Sequence, residues 1–385
     1  MSSPIRVAHV ITGLEVGGAA VMLQRLLDRV DRRAFDSTVI SLTGLGPLGE
    51  RIAATGVPVV PLGLRSLPGP LGVAKLSRAL RAAEPDVVQT WLLHANVLAG
   101  GLSRLGRRAP VCWSMHMTAA EAGTHGRSAV ALQRLEARLS RSVPARIASC
   151  SYSTYELMER MGYELGGAEV IPNGFDVETL RPDPAARAAL RAELGIPDGA
   201  PVVAHAARFH PMKDHANLLE AAALVLERLP GARFLLCGTG VDDANAELAP
   251  RARALGEGVR LLGRRDDVTR IFQAADVATL SSASGEAMPL VIGEAMACGT
   301  PVVSTDCGDA AELIGDTGAV VPIRRPDLLA KGLAEVLELP AGELAALGAG
   351  ARERIAERYA LRDMVAGYER VWSELAAPAA ASTSS

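Results

Sequence analysis

Residues 284–303 read SGEAMPLVIGEAMACGTPVV. Pro289 suits the first turn of a helix, and Gly299 suits the position just past its end. The strand-like TPVVST follows at once. The segment therefore predicts a helix of about ten residues leading into a strand. Leu290, Val291, Ile292, Ala295, Met296, Ala297 and Cys298 cover every face, so this helix is expected to be buried all round. Glu294 lies inside the apolar run, where a carboxylate needs a polar partner. Glu286 lies in the loop before it, near the positive end of the helix dipole. The spacing sets the carboxylates ~10 Å apart, wider than the about 5 Å of a nucleophile–acid pair in a retaining glycosidase. Two readings follow: the pair grips two parts of one extended polar ligand, or Glu286 caps the helix and Glu294 forms a salt bridge.

Short β-rich runs alternate with helical patterns on both sides of this segment. RVAHVI (6–11), DSTVISL (36–42), DVVQTW (86–91), PVCWSMH (110–116) and ARIASCS (145–151) are separated by stretches such as LGVAKLSRALRAA (71–83). The pattern restarts with APVVAHAARF (200–209), HANLLEAAALVLERL (215–229) and ARFLLCGTG (232–240), then continues through DVATLSS (276–282) and TPVVSTD (300–306). Strands alternating with helices argue for parallel sheets covered on both faces. The fold class is α/β, with two Rossmann-like, doubly wound domains facing a cleft. IPNGFDVETLRPDP (171–184), rich in Pro, Gly and Asp, marks the join. The expected domains are 1–172 and 173–357. The tail from 376 to 385, AAPAAASTSS, is low-complexity and expected to be disordered.

At 385 residues the chain is too long for one ordinary core. Its net charge of −3 gives no nucleic-acid signal. Residues 1–172 carry +6 and the remainder −9, so the first half could face an anionic membrane or substrate, or simply present a solvated arginine-rich face. Arg104, Arg107, Arg108, Arg127, Arg134, Arg138, Arg141 and Arg146 far outnumber Glu121 and Glu136. The five cysteines include no CxxC and suit a reducing compartment. No run approaches the ~18 apolar residues of a membrane span. A cytoplasmic location is expected, with peripheral contact at the inner face of a membrane allowed.

In parallel sheets the chemistry sits on loops at the carboxyl ends of strands. The first such turn, TGLEVGGAA (12–20), places Gly17 and Gly18 before a helix, where bare backbone N–H groups favour an anion. Its spacing is not that of a dinucleotide fingerprint. His116 ends an apolar strand, where an imidazole can contact a reacting group or serve as acid or base. Trp91, His94 and Asn96, at another strand end, suit the lining of an acceptor site. In AARFHPMKDHANLLEA, Arg208 ends a strand and Lys213 precedes a helix that Asp214 could cap, a good diphosphate clamp. Lys213 is one of only three lysines against 37 arginines. His205, His210 and His215 recur every five residues, which fits no metal cluster.

E-x7-E followed by AMACGTPVVSTD is similar to the signature of the family-four glycosyltransferases of GT-B fold. The resemblance covers nearly the whole chain. It takes in Gly17–Gly18, His116, IPNGFD at the join, Arg208 with Lys213, CGTG (237–240) and RYALRDMVAGYERVW (358–372). It implies that residues 358–375 return to the first, acceptor-binding domain, and that the second binds a UDP- or GDP-type nucleotide sugar. Arg208 and Lys213 would bind the diphosphate, Glu294 the ribose, and Glu286 the sugar, with the backbone N–H groups of Met288 and Leu290 nearby. His116 would contact the donor sugar, and Gly17 and Gly18 would lie near the phosphates. Transfer with retention and no bound metal or other cofactor is implied, the cations offsetting the developing phosphate charge. Departures fall at Ala20, where the family often has Glu, and at Glu286-Ala287-Met288, where it often has E-G-F. QTWLLHANVLAGG (89–101) resembles a bacterial subgroup that builds surface polysaccharides. The resemblance implies a polysaccharide, lipid-linked or natural-product acceptor. The alternatives are a sugar-nucleotide epimerase on the same fold and a non-catalytic sugar-nucleotide-binding protein.

Overall fold

The computed structural model describes residues 3–64, 69–106, 109–116, 118 and 122–377. Residues 378–385 of the expected disordered tail, and Arg107, Arg108 and Glu121 of the basic region, lie outside them. The chain divides into two compact units, Met1–Gly174 with Leu361–Ser385, and Phe175–Ala360. The first and last residues of the second unit, Phe175 and Ala360, pair in a parallel bridge.

The sheet of the first unit has seven strands among the described residues. They are β1 (Ile5–Ile11), β2 (Phe35–Ser41), β3 (Val59–Pro61), β4 (Val87–Trp91), β5 (Val111–Met115), β6 (Arg146–Ser149) and β7 (Ala168–Val170). Their order is β3-β2-β1-β4-β5-β6-β7, and each pairing is parallel. The second sheet has six: β8 (Val202–Ala206), β9 (Arg233–Cys237), β10 (Val259–Leu261), β11 (Val277–Leu280), β12 (Val302–Thr305) and β13 (Gly318–Val321). Their order, β10-β9-β8-β11-β12-β13, is again wholly parallel. Every residue of β4, β5, β8 and β11 is buried, as central strands covered on both faces require.

These orders fix where ligands can go. In the first sheet the order reverses between β1 and β4, in the second between β8 and β11. At such a point the neighbouring crossovers leave in opposite directions and open a crevice at the carboxyl ends of the two strands.

The helix expected from 284–303 spans Leu290–Ala297, with Pro289 as its N-cap rather than in its first turn. Gly299 follows at φ +76°, the left-handed conformation that stops a helix without a Cβ penalty. The helix is not buried all round: Leu290, Val291 and Glu294 form a half-buried edge. Glu294 takes that edge because a charged side chain cannot follow its apolar neighbours into the core.

The last helix, Leu361–Ala376, belongs to the first unit. It buries Leu361, Met364, Val365, Tyr368, Val371 and Trp372, one apolar stripe at helical spacing. Two polar anchors set its register: the Trp372 indole donates to Gln89 Oε1 at 2.9 Å, and the Tyr368 hydroxyl lies 2.6 Å from Ser114 Oγ. Trp372→Ala removes a fully buried ring and leaves Gln89 short of a donor. It is expected to destabilise the first unit by about 3–5 kcal/mol. Calorimetry should show one transition moved down and that of the second unit unchanged; a single transition lowered as a whole would contradict this.

Candidate active site

The residues singled out in the second unit converge on the β8/β11 switch point. Arg208 leaves the end of β8 with its side chain exposed and without a hydrogen bond or ion pair among the described residues. A short 3-10 turn, Pro211–Lys213, brings Lys213 back over the strand ends. Asp214 then adopts φ +45° and caps the helix His215–Arg228, its carboxylate accepting from the Asn217 N–H at 3.2 Å. Lys213 Nζ forms an ion pair with Glu286 Oε1, the carboxylate side chain being only 9% exposed. Glu286 Oε1 also accepts from Ser282 Oγ at 2.6 Å. Lys213 and Glu286 are 73 residues apart in sequence but meet because β8 and β11 are neighbours.

Glu286 is held from behind by a third loop. Gly308, after β12, adopts φ +61°, and a Cβ there would come within 2.6 Å of the carbonyl oxygens of both Glu286 and Ala287. The next N–H, of Asp309, donates to the Ala287 carbonyl at 2.8 Å. Met288 is buried in the core, and Leu290 opens the helix that carries Glu294. Arg208, Lys213, Glu286, Met288, Leu290 and Glu294 thus belong to two adjacent loops and one helix.

In the first unit, Gly17 is the N-cap of the helix Gly18–Arg29 and no side chain caps that end. Both glycines are exposed, following β1 on one side of the switch point. His116 follows β5 and is half-buried. Its Nε2 lies 3.1 Å from Ser114 Oγ, and its ring stacks on Trp91 with centroids 5.4 Å apart. His94 reaches the surface.

The expectation that Trp91 and Asn96 line an acceptor site needs correction. Trp91 is fully buried at the end of β4, between His116 and Tyr368. Asn96 is 1% exposed, accepts from Thr90 Oγ1 at 2.6 Å and donates to Glu136 Oε1 at 2.7 Å. Both are interior residues that support their neighbours. Between Trp91 and His94, Leu92 sits at φ +73°, a costly conformation for a branched side chain. A π-turn at Asn96–Gly100 follows. Neither feature carries a sequence signal.

Comparison with known proteins gives the family and the fold. Residues 16–179 match the family model "Glycosyltransferase Family 4", and residues 186–354 match "Glycosyl transferases group 1". The chain belongs to the family-four glycosyltransferases. The glycosyltransferase is 28% identical over 325 residues to a Bacillus subtilis protein described as glycosyltransferase EpsF, covering 79% of the chain and 80% of EpsF. It is 30% identical over 268 residues to the phosphatidyl-myo-inositol mannosyltransferase of Mycobacterium tuberculosis, covering 67% of the chain and 64% of that relative. A crystal structure of Anabaena Alr3699/HepE in complex with UDP superposes with a TM-score of 0.84 at 23% identity, covering 96% of the chain and 100% of HepE. HepE has also been solved with UDP-glucose. The fold of the glycosyltransferase is therefore GT-B, and the relatives do not favour an epimerase or a silent binding protein. Among the described residues no helix is long and apolar enough to cross a membrane.

Burial dominates the titration of two histidines of the first unit. It pushes His116 down to about 4 and His9 down to about 3, so both imidazoles are neutral at physiological pH. Glu136, beneath the β4 loop, is in the sequence only one of the few acids in a basic region. It is 1% exposed, and burial raises its pKa to about 7 against the hydrogen bonds from Tyr163 and Asn96. The Tyr163 hydroxyl donates to its Oε2 at 2.6 Å.

The histidines, lowered in the fold, cost stability as pH falls below their unfolded value. Glu136, raised in the fold, costs stability as pH rises from about 4.5 to about 7. Glu136→Gln removes that second loss. Its stability relative to wild type is expected to rise by about 3 kcal/mol between pH 4.5 and pH 8. Urea unfolding at the two pH values measures this, and a pH-independent difference would show that Glu136 titrates normally.

Proposed function

We propose that this glycosyltransferase moves a sugar from a UDP- or GDP-type nucleotide sugar to a polysaccharide, lipid-linked or natural-product acceptor, with retention and without a metal ion. The observation that carries the reading is the set at the β8/β11 switch point: an Arg208 with no partner among the described residues, and a Lys213 already paired with the recessed Glu286. Two cations at one strand-end crevice suit a diphosphate. A carboxylate beside them suits sugar hydroxyls. The UDP and UDP-glucose complexes of HepE support a nucleotide-sugar donor.

In this reading the bond from the sugar C1 to the terminal phosphate oxygen breaks. A bond from the acceptor hydroxyl oxygen to C1 forms on the same face, and the hydroxyl proton passes to the departing diphosphate. Arg208 and Lys213 offset the charge that gathers on the leaving group. Glu294 takes ribose hydroxyls, Glu286 sugar hydroxyls, and the open helix end at Gly17–Gly18 accommodates negative charge. His116, neutral above pH about 4, serves as a hydrogen-bonding group toward the donor sugar rather than as a cation.

Purified protein incubated with UDP-, GDP- and ADP-sugars is expected to hydrolyse or transfer one of them in excess EDTA. Arg208→Ala should lower kcat/KM about 10²–10³-fold. Glu294→Ala should weaken nucleotide binding; full donor affinity in that variant would falsify its assignment to the ribose.

Peripheral membrane contact is the second part of the proposal. A cavity of about 590 Å³ lies beside the start of β5, lined in part by Ser103, Arg104 and Arg141. Leu105 beside it is 85% exposed. Basic side chains next to an exposed apolar one suit an anionic lipid surface. Flotation with phosphatidylglycerol vesicles is expected to recover the protein at low salt and release it at high salt. Absence from the vesicle fraction under both conditions would point to a soluble acceptor.

A further inference from the structure

The sequence draws attention to Glu286 and Lys213 but not to what holds them. Both are steadied by consecutive serines just past the end of β11. Ser281 and Ser282 are fully buried. Because successive side chains of an extended chain point in opposite directions, the two serines serve different halves of the site. Ser281 Oγ donates to the carbonyl of Lys213 at 2.9 Å and lies 3.1 Å from that of Asp214, fixing the turn that carries Lys213 and caps the next helix. Ser282 Oγ donates to Glu286 Oε1 at 2.6 Å.

The serines are themselves held from β12. Thr305 Oγ1 donates to the Ser282 carbonyl at 2.7 Å, and Ser304 Oγ lies 3.2 Å from that of Leu280 and 3.0 Å from that of Thr305. Hydroxyls thus satisfy backbone groups where the sheet ladder stops.

The distribution of donors on Glu286 is uneven. Lys213 Nζ and Ser282 Oγ both meet Oε1. Oε2 accepts nothing among the described residues. A lone ammonium can pair with either oxygen of a carboxylate, so the ion pair alone does not fix the plane of the group. A second donor, on a rigid strand end and aimed at the same oxygen, does.

We propose that Ser282 is a positioning residue that pins Glu286 through Oε1 and so presents Oε2 to the sugar of the donor, while Ser281 separately positions Lys213 toward the diphosphate. This rests on the donor reading above and adds a division of labour. The phosphate half and the sugar half are set by different hydroxyls and can be uncoupled.

The test compares a nucleotide with its sugar conjugate. UDP with UDP-glucose, and GDP with GDP-mannose, are titrated by calorimetry, and the pair that wild type binds is used. Binding of neither pair overturns the donor reading and this inference together. Ser282→Ala is expected to leave nucleotide affinity unchanged and to reduce the extra affinity due to the sugar about 3- to 10-fold. Its kcat should fall by a larger factor than the inhibition constant of the free nucleotide changes. Ser281→Ala is expected to weaken nucleotide and nucleotide sugar equally, keeping their ratio. A structural defect would move both ligands together in both variants.

Glu286→Ala is the control that separates the two levels. If it leaves the sugar increment intact, the donor reading of Glu286 fails. If it abolishes the increment while Ser282→Ala does not, the positioning role alone fails. Thermal unfolding confirms that each variant is folded. Should Ser282→Ala not fold, Ser282→Cys, close in size but a weak donor, gives the same comparison.

Discussion

A parallel sheet ends every strand on the same side, and the reversal of strand order decides which of those ends is open. In the second unit that reversal falls between β8 and β11. Elsewhere a crossover helix leaves each strand end beside its neighbour's. At the reversal the helices depart to opposite faces, so two loops are left with space between them. The Lys213 and Glu286 loops occupy that space, and their ion pair depends on it. Move either residue to another strand end and the pair is lost, whatever the local sequence.

The rest of the site is built to hold this pair despite the cost of burial. A recessed carboxylate is tolerable only with donors around it. Glu286 has an ammonium, a hydroxyl and a neighbouring backbone clamped by Gly308 and Asp309. The glycine is required twice over, by its left-handed backbone and by the close carbonyls. Glu294 avoids the problem by lying on the one half-buried edge of its helix.

Much of this was legible in the sequence because it follows local rules. Strands such as VVAHA announce themselves as apolar β-rich runs, and Gly299 marks the end of its helix. Lys213 stood out by rarity and Glu286 by its position beside an apolar run. What escaped the sequence depends on partners far along the chain. Asn96 and Trp91 read as strand-end surface residues but are interior, because Glu136, Thr90, Tyr368 and His116 close over them. Leu92 gives no sign of its positive φ, which tertiary packing imposes. Ser281 and Ser282 look like ordinary loop residues until Lys213, 68 positions earlier, is brought against them.

The identity of residue 213 acquires a physical reason in this setting. The chain uses arginine almost exclusively, yet places one of its three lysines here. A guanidinium is a planar fork that engages both oxygens of a carboxylate at once. Opposite Glu286 it would occupy Oε1 and Oε2 together and leave no acceptor free. An ammonium is a point charge and can share a single oxygen with a hydroxyl, as Lys213 does with Ser282. Arg208, which has no ion pair among the described residues, keeps the fork suited to an anion's paired oxygens. The two cations therefore differ in their surroundings: Lys213 shares one oxygen of a neighbouring carboxylate with a hydroxyl, and Arg208 has no ion pair among the described residues.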